Sequence, residues 1–207
     1  NEVMWMGSTT STADEWIELR NMTGGSINLT GWKIDGAGSG SSSISLSGVI
    51  PANDYFLLSN YATNASAVSD SISVDQVTTS LSLLDSGEQL TLKDVASTVI
   101  DQTLSGSWPA GINSGGLHQS MERNDNPSTG WHTCISPGCT STTFWDTSGN
   151  NYGTPKAANL SGNDPSAPAA TPSVASASPS AQLTLSADQK NISFIINHVE
   201  NFKSLSY

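Results

Sequence analysis

No stretch of this chain sustains an apolar repeat of 3.6 residues over ten positions, so amphipathic helices cannot supply its core. Short alternation takes their place. Val3 and Trp5 alternate with Met4 and Met6, and Ile17 and Leu19 face away from Glu18 and Arg20. Ile44 and Leu46 alternate with serines, and Tyr55-Phe-Leu-Leu58 is a continuous apolar run that reads as a buried strand. The pairs Ile72/Val74, Leu81/Leu83, Leu90/Leu92 and Val99/Ile100 continue the series. Gly24-Gly25 and Asp85-Ser86-Gly87 mark turns, and Gly36 to Ser43 reads as a flexible loop. Short strands at this spacing predict an all-β fold, and a two-sheet sandwich with Greek-key connections is favoured over a barrel.

Composition agrees and narrows the function classes. Ser (36) and Thr (20) exceed a quarter of the 207 residues, whereas charged residues are 12%, about half the usual share. Thr suits strands, and Ser, Gly and Asn suit turns. The balance is 18 acidic to 7 basic residues, net −11, so phosphate is repelled on average and no nucleic-acid partner is expected. No run of 18 apolar residues is present to form a transmembrane segment.

Three zones divide the chain. Residues 1–160 hold all six Trp and both Cys and are the expected sandwich. Residues 161–181 contain four Pro, no aromatic and one charge, which predicts a semi-extended linker. Residues 182–207 turn apolar again at Leu183, Leu185 and Ile192-Ser-Phe-Ile-Ile196, as in an incomplete second β-module. The start at Asn1, with no initiator Met or leader, and the stop at Tyr207 suggest a piece of a longer protein. Cys134 and Cys139 flank a Pro/Gly loop. A disulfide is expected there in an oxidising compartment and two free thiols otherwise; a zinc site would need two further ligands nearby.

Several segments, in order, resemble the lamin tail domain family. They are Asn1-Glu-Val-Met-Trp-Met-Gly7, Asp14-Glu-Trp-Ile-Glu-Leu-Arg-Asn21 and Ile27-Asn-Leu-Thr-Gly-Trp-Lys-Ile34. Tyr55-Phe-Leu-Leu58, Gly87-Glu-Gln-Leu-Thr-Leu-Lys-Asp94 with Val99-Ile-Asp101, Ser120-Met-Glu-Arg123 and Gly153-Thr-Pro-Lys-Ala-Ala-Asn159 follow. The resemblance spans nearly all of 1–160 and implies an immunoglobulin-like sandwich. The surrounding composition is similar to the exported bacterial branch, which implies an extracellular or cell-surface location.

Within that frame the expected core is Trp16, Ile17, Leu19, Trp32, Phe56, Leu57, Leu90 and Leu92. Gly31 and Gly153 suit tight backbone positions, and Glu15, Glu18 and Arg20 are expected on an exposed strand face with a weak cross-strand ion pair.

Reaction chemistry is sparse. Gly-x-Ser-x-Gly is absent, and Gly36-Ala-Gly-Ser-Gly40 lacks the Lys and last Gly of a phosphate loop. His118 and His132 with a carboxylate could hold a metal, although hydrogen-bonding roles are commoner. Asn124-Asp-Asn126 lacks the spaced acids of a calcium loop. Asp14 and Glu15 read as a strand start rather than an acid–base pair. No catalytic residue, metal or cofactor is therefore expected. Trp108, Trp131, His132 and Trp145 fall in a loop-rich region, 105–150. They are candidates for binding a sugar or protein, or else they cover one end of the sandwich. The expected function is a non-enzymatic scaffold that tethers or positions neighbouring domains. The alternatives are a glycan- or protein-binding module, or an accessory domain of a secreted hydrolase.

Overall fold

The computed structural model describes residues 1–62, 65–66, 72–124, 130–135, 139 and 150–159, together with the backbone of 181–185, 192–196 and 205–206. Trp145 and Asp125–Asn126 lie outside the described residues, as does the proposed linker apart from Ala181.

Among the described residues of the first unit there are fifteen short strands. In order they are β1 (Glu2–Met4), β2 (Trp16–Arg20), β3 (Ile27–Asn28), β4 (Lys33–Gly38), β5 (Ser42–Ser45), β6 (Val49–Ile50), β7 (Tyr55–Ser59) and β8 (Gln76–Val77). Then come β9 (Thr91–Lys93), β10 (Val99–Gln102), β11 (Ile112–Ser114), β12 (Leu117–Gln119), β13 (Met121–Arg123), β14 (Trp131–Thr133) and β15 (Asn151–Tyr152). A six-stranded sheet runs β14-β13-β1-β2-β7-β8, and a four-stranded sheet runs β10-β9-β4-β5. The chain alternates between them, as a Greek-key, immunoglobulin-like sandwich requires. Smaller sheets, β11-β12-β15 and β3-β6, complete the unit.

Period-2 alternation sends Val3, Ile17, Leu19, Phe56 and Leu58 to one face of the large sheet. Along the cleft between the sheets, Val3, Ile17 and Leu19 meet Ile34, Leu90 and Leu92. Trp16, Ile17, Phe56, Leu57 and Leu90 are buried, while Leu19, Trp32 and Leu92 are half-buried against them. Trp16 shares a face with Glu18 and Leu57, opposite Ile17, so its indole is buried away from the inter-sheet face.

Several segments differ from the sequence reading. Ile72/Val74 and Leu81/Leu83 are packed connections rather than strands, although Leu81 bridges to Gly38. Their apolar side chains serve the core without backbone pairing. Gly36–Gly38, expected in a loop, belongs to β4, whose register shifts between Ile34 and Gly38. Gly36 sits at φ +90, a backbone state open to glycine, and a side chain there would strike the Gln89 carbonyl.

The second unit holds an antiparallel sheet of β16 (Ala181–Leu185), β17 (Ile192–Ile196) and β18 (Leu205–Ser206). Its first two strands fall where alternation resumes.

Candidate functional site

Three buried glutamates converge on the face of the large sheet that carries Trp16. Register places Glu122 opposite Glu2 and Glu2 opposite Glu18, three carboxyl groups side by side across β13, β1 and β2. His132 on β14 extends the row beyond Glu122. All three glutamates are fully buried. The exposed strand face expected for Glu18 is thus incorrect, and Glu15 is buried as well; Arg20 alone of that set is exposed. Alternation separates the two faces of a strand but does not say whether both are covered.

The cover is the segment Gly153–Asn159. The Thr154 amide donates to Glu2 Oε1 at 2.9 Å, and the Lys156 amide donates to Glu18 Oε2. Lys156 Nζ reaches the Tyr55 carbonyl at 2.6 Å and Asp75 at 2.7 Å. Asn159 Nδ2 donates to the Arg123 carbonyl at 2.8 Å, and Asn1 Nδ2 donates to Glu18 Oε1 at 2.8 Å. Gly153 leaves no room for a side chain, since a Cβ would lie 2.9 Å from the Trp16 ring and 3.1 Å from Glu2 Oε1.

Burying carboxylates is costly unless they are neutralised or well bonded. Both remedies operate here. Ser120 Oγ donates to Glu2 Oε1 at 2.5 Å. Thr154 Oγ1 lies 2.6 Å from Glu122 Oε1 and 3.2 Å from Glu2 Oε2. A hydroxyl has one proton to donate. If it is given to Glu122, the second bond closes only when Glu2 carries a proton and donates to Thr154. Burial, reinforced by the Glu122 and Glu18 charges, holds Glu2 well above the usual carboxylate range. Burial also pushes Glu18 up to about 7. His132 is fastened at both ring nitrogens, Nε2 lying 2.9 Å from Glu122 Oε2 and Nδ1 against Asn124 Oδ1.

The loop aromatics are placed differently from one another. Trp131 and His132 lie on β14 rather than in a loop, and Trp131 is 9% exposed beneath the Arg123 guanidinium, 4.4 Å from its ring centre. Trp108 stacks on Trp5 at 6.1 Å and donates to the Leu84 carbonyl at 2.7 Å. Trp108 and Trp131 thus make different contacts. Cys134 and Cys139 form the expected disulfide, with Cα atoms 5.5 Å apart. His118 lies on β12, and no cluster of potential metal ligands among the described residues unites it with His132.

Two hollows remain. One, of about 380 Å³ with its open mouth, lies between the sheets, and the Arg123–Asp101 ion pair borders it at 2.6 Å. The other is a broad depression bordered by Glu15, Asn60 and Asp85. Burial raises Glu15 to about 8, and its Oε2 accepts the Leu83 amide at 3.0 Å. Sequence reasoning missed both the glutamate row and this acid. The signal available was a glutamate in three of the recurring strand segments, at Glu2, Glu18 and Glu122.

No helix among the described residues is long and apolar enough to cross a membrane. No curated protein and no solved structure matches the chain. A family model does, that of the Lamin Tail Domain, over residues 1–106. This half of the chain contains β1 to β10, including Glu2 and Glu18, while β13 and the covering segment lie beyond it. With a sandwich of the kind this family implies already visible in the sheet order, the chain belongs to the lamin tail domain family.

Proposed function

We propose that this chain is a non-enzymatic interaction module of an exported bacterial envelope or extracellular protein, where it holds neighbouring domains in position. The observation that carries the reading is the commitment of its buried acids. Glu2, Glu18 and Glu122 are engaged in fastening residues 153–159 to the sheet. Family membership supports an interaction role, and the acidic, Ser/Thr-rich composition supports export.

Glu15, whose pKa burial raises, and Asp85 border a broad depression among the described residues, so they define the test. Purified protein is assayed on ester, phosphodiester and glycoside substrates beside Glu15→Gln and Asp85→Asn. No turnover above background is expected. Enzyme-like turnover abolished by either substitution would overturn the reading.

Protein binding has a separate support within this role. β10 is an edge strand of the four-stranded sheet, and Val99 and Ile100 are about half exposed on it. An edge with unpaired backbone groups and exposed apolar side chains suits strand addition by a protein partner. Glycan binding would instead depend on the loop aromatic Trp108, and a glycan array with wild type and Trp108→Ala separates the two.

A further inference from the structure

We propose that, once its disulfide is reduced, Cys134 and Cys139 join Glu122 in a buried site for a thiophilic divalent cation of the zinc class. The proposal goes beyond the positioning role and does not depend on it.

The two sulfurs and a Glu122 oxygen all lie within 4.8 Å of one another, and all three residues are buried. Cys139 Sγ is 3.6 Å from Glu122 Oε1. A tetrahedral zinc with bonds of about 2.3 Å to sulfur and about 2.1 Å to oxygen holds two such donors roughly 3.6 Å apart. The four-residue spacer between the cysteines falls within the spacing of paired zinc ligands.

The carboxyl group is also oriented in advance. Thr154 Oγ1 holds Glu122 Oε1, and His132 Nε2 holds Glu122 Oε2. Outer partners of this kind fix a ligand and raise its affinity. Two thiolates make the set soft, which selects zinc-like ions over calcium or magnesium.

The chemistry balances. A dithiol reductant breaks the Cys134–Cys139 S–S bond, delivers two electrons and two protons to the sulfurs, and leaves as its own disulfide. The cation then displaces both thiol protons to solvent. Disulfide and metal site are alternative states of the same two sulfurs.

For the test, the full chain is produced and kept in a water-soluble phosphine, which takes up oxygen from water as the disulfide is reduced. Mass after alkylation confirms two free thiols. One equivalent of Co²⁺ is expected to give thiolate charge-transfer bands and the visible bands of tetrahedral cobalt, both erased by Zn²⁺. The oxidised protein and Cys134→Ser lack these bands, and Glu122→Gln weakens binding about 10-fold or more. Zn²⁺ raises the thermal midpoint of the reduced chain and leaves that of the oxidised chain unchanged. If the reduced chain is unfolded, Zn²⁺ is expected to restore its β-sheet circular dichroism. A folded, reduced chain without thiolate–cobalt bands overturns the proposal. So does binding indifferent to Glu122→Gln, or an unfolded chain that zinc fails to refold.

Discussion

Glu2 and Glu122 stand directly opposite each other on β1 and β13, both fully buried, with the Thr154 hydroxyl within hydrogen-bonding distance of each. Two like charges so placed would repel in a medium that screens poorly, and a proton kept on Glu2 removes the conflict. The arrangement turns residues far apart in the chain into one fastening between the covering segment and the sheet.

The neutral amide of Gln reproduces a protonated Glu2. Its oxygen accepts from Ser120 and the Thr154 amide, and its nitrogen donates to Thr154 Oγ1. Glu2→Gln is expected to change stability by less than about 1 kcal/mol, because each bond is replaced. Glu2→Ala is expected to cost about 3 kcal/mol or more, since it opens a cavity and orphans buried donors. Urea unfolding of both variants checks this.

Stability should fall as pH rises from 5 to 8. Glu18 has its folded pKa raised to about 7 from 4.5. The folded state then binds more protons than the unfolded state between those values, so the slope of stability with pH is negative. On Glu18 alone the loss between pH 5 and 7 is on the order of 2 kcal/mol, roughly 4–8 °C in thermal midpoint. Glu15, raised to about 8, extends the fall to higher pH. At the acid end, ion pairing with Lys93 holds Asp35 down at about 2, so its contribution is lost as pH drops from about 4 toward 2. Thermal melts from pH 2 to 9 should peak near pH 4 to 5.

Much of this sandwich could be read from local pattern and part of it could not. Ile17, Phe56 and Leu90 follow from alternation, and their burial needs no information beyond the strand itself. Glu18 was placed on an open face because its cover arrives from residues 153–159, more than 130 positions later. Trp131 and His132 read as loop residues because β14, paired with β13, is three residues long, too short to show alternation. The first misreading comes from non-local pairing, to which a period-2 pattern is blind, and the second from the shortness of the strand.

Gly153→Ala tests the fit of the covering segment. The added carbon meets the Trp16 ring and Glu2 Oε1 inside van der Waals distance, so the backbone must move. A loss of about 1–3 kcal/mol is expected. Hydrogen exchange at the Thr154 and Lys156 amides should accelerate before exchange in β4 and β9.

Trp131→Ala removes a buried indole and the platform for Arg123. The expected cost is about 3–5 kcal/mol. Arg123→Lys keeps the charge but loses the planar stack and should cost about 1 kcal/mol. Chemical denaturation of the two variants separates packing from charge.

The proton on Glu2 can be measured directly by following the side-chain carboxyl ¹³C shifts of labelled glutamates through a pH titration, with Glu2→Gln used for assignment. The account predicts that the Glu2 signal keeps its protonated shift at neutral pH and that Glu18 titrates near 7. Midpoints near 4.5 for both residues in the folded protein would contradict it.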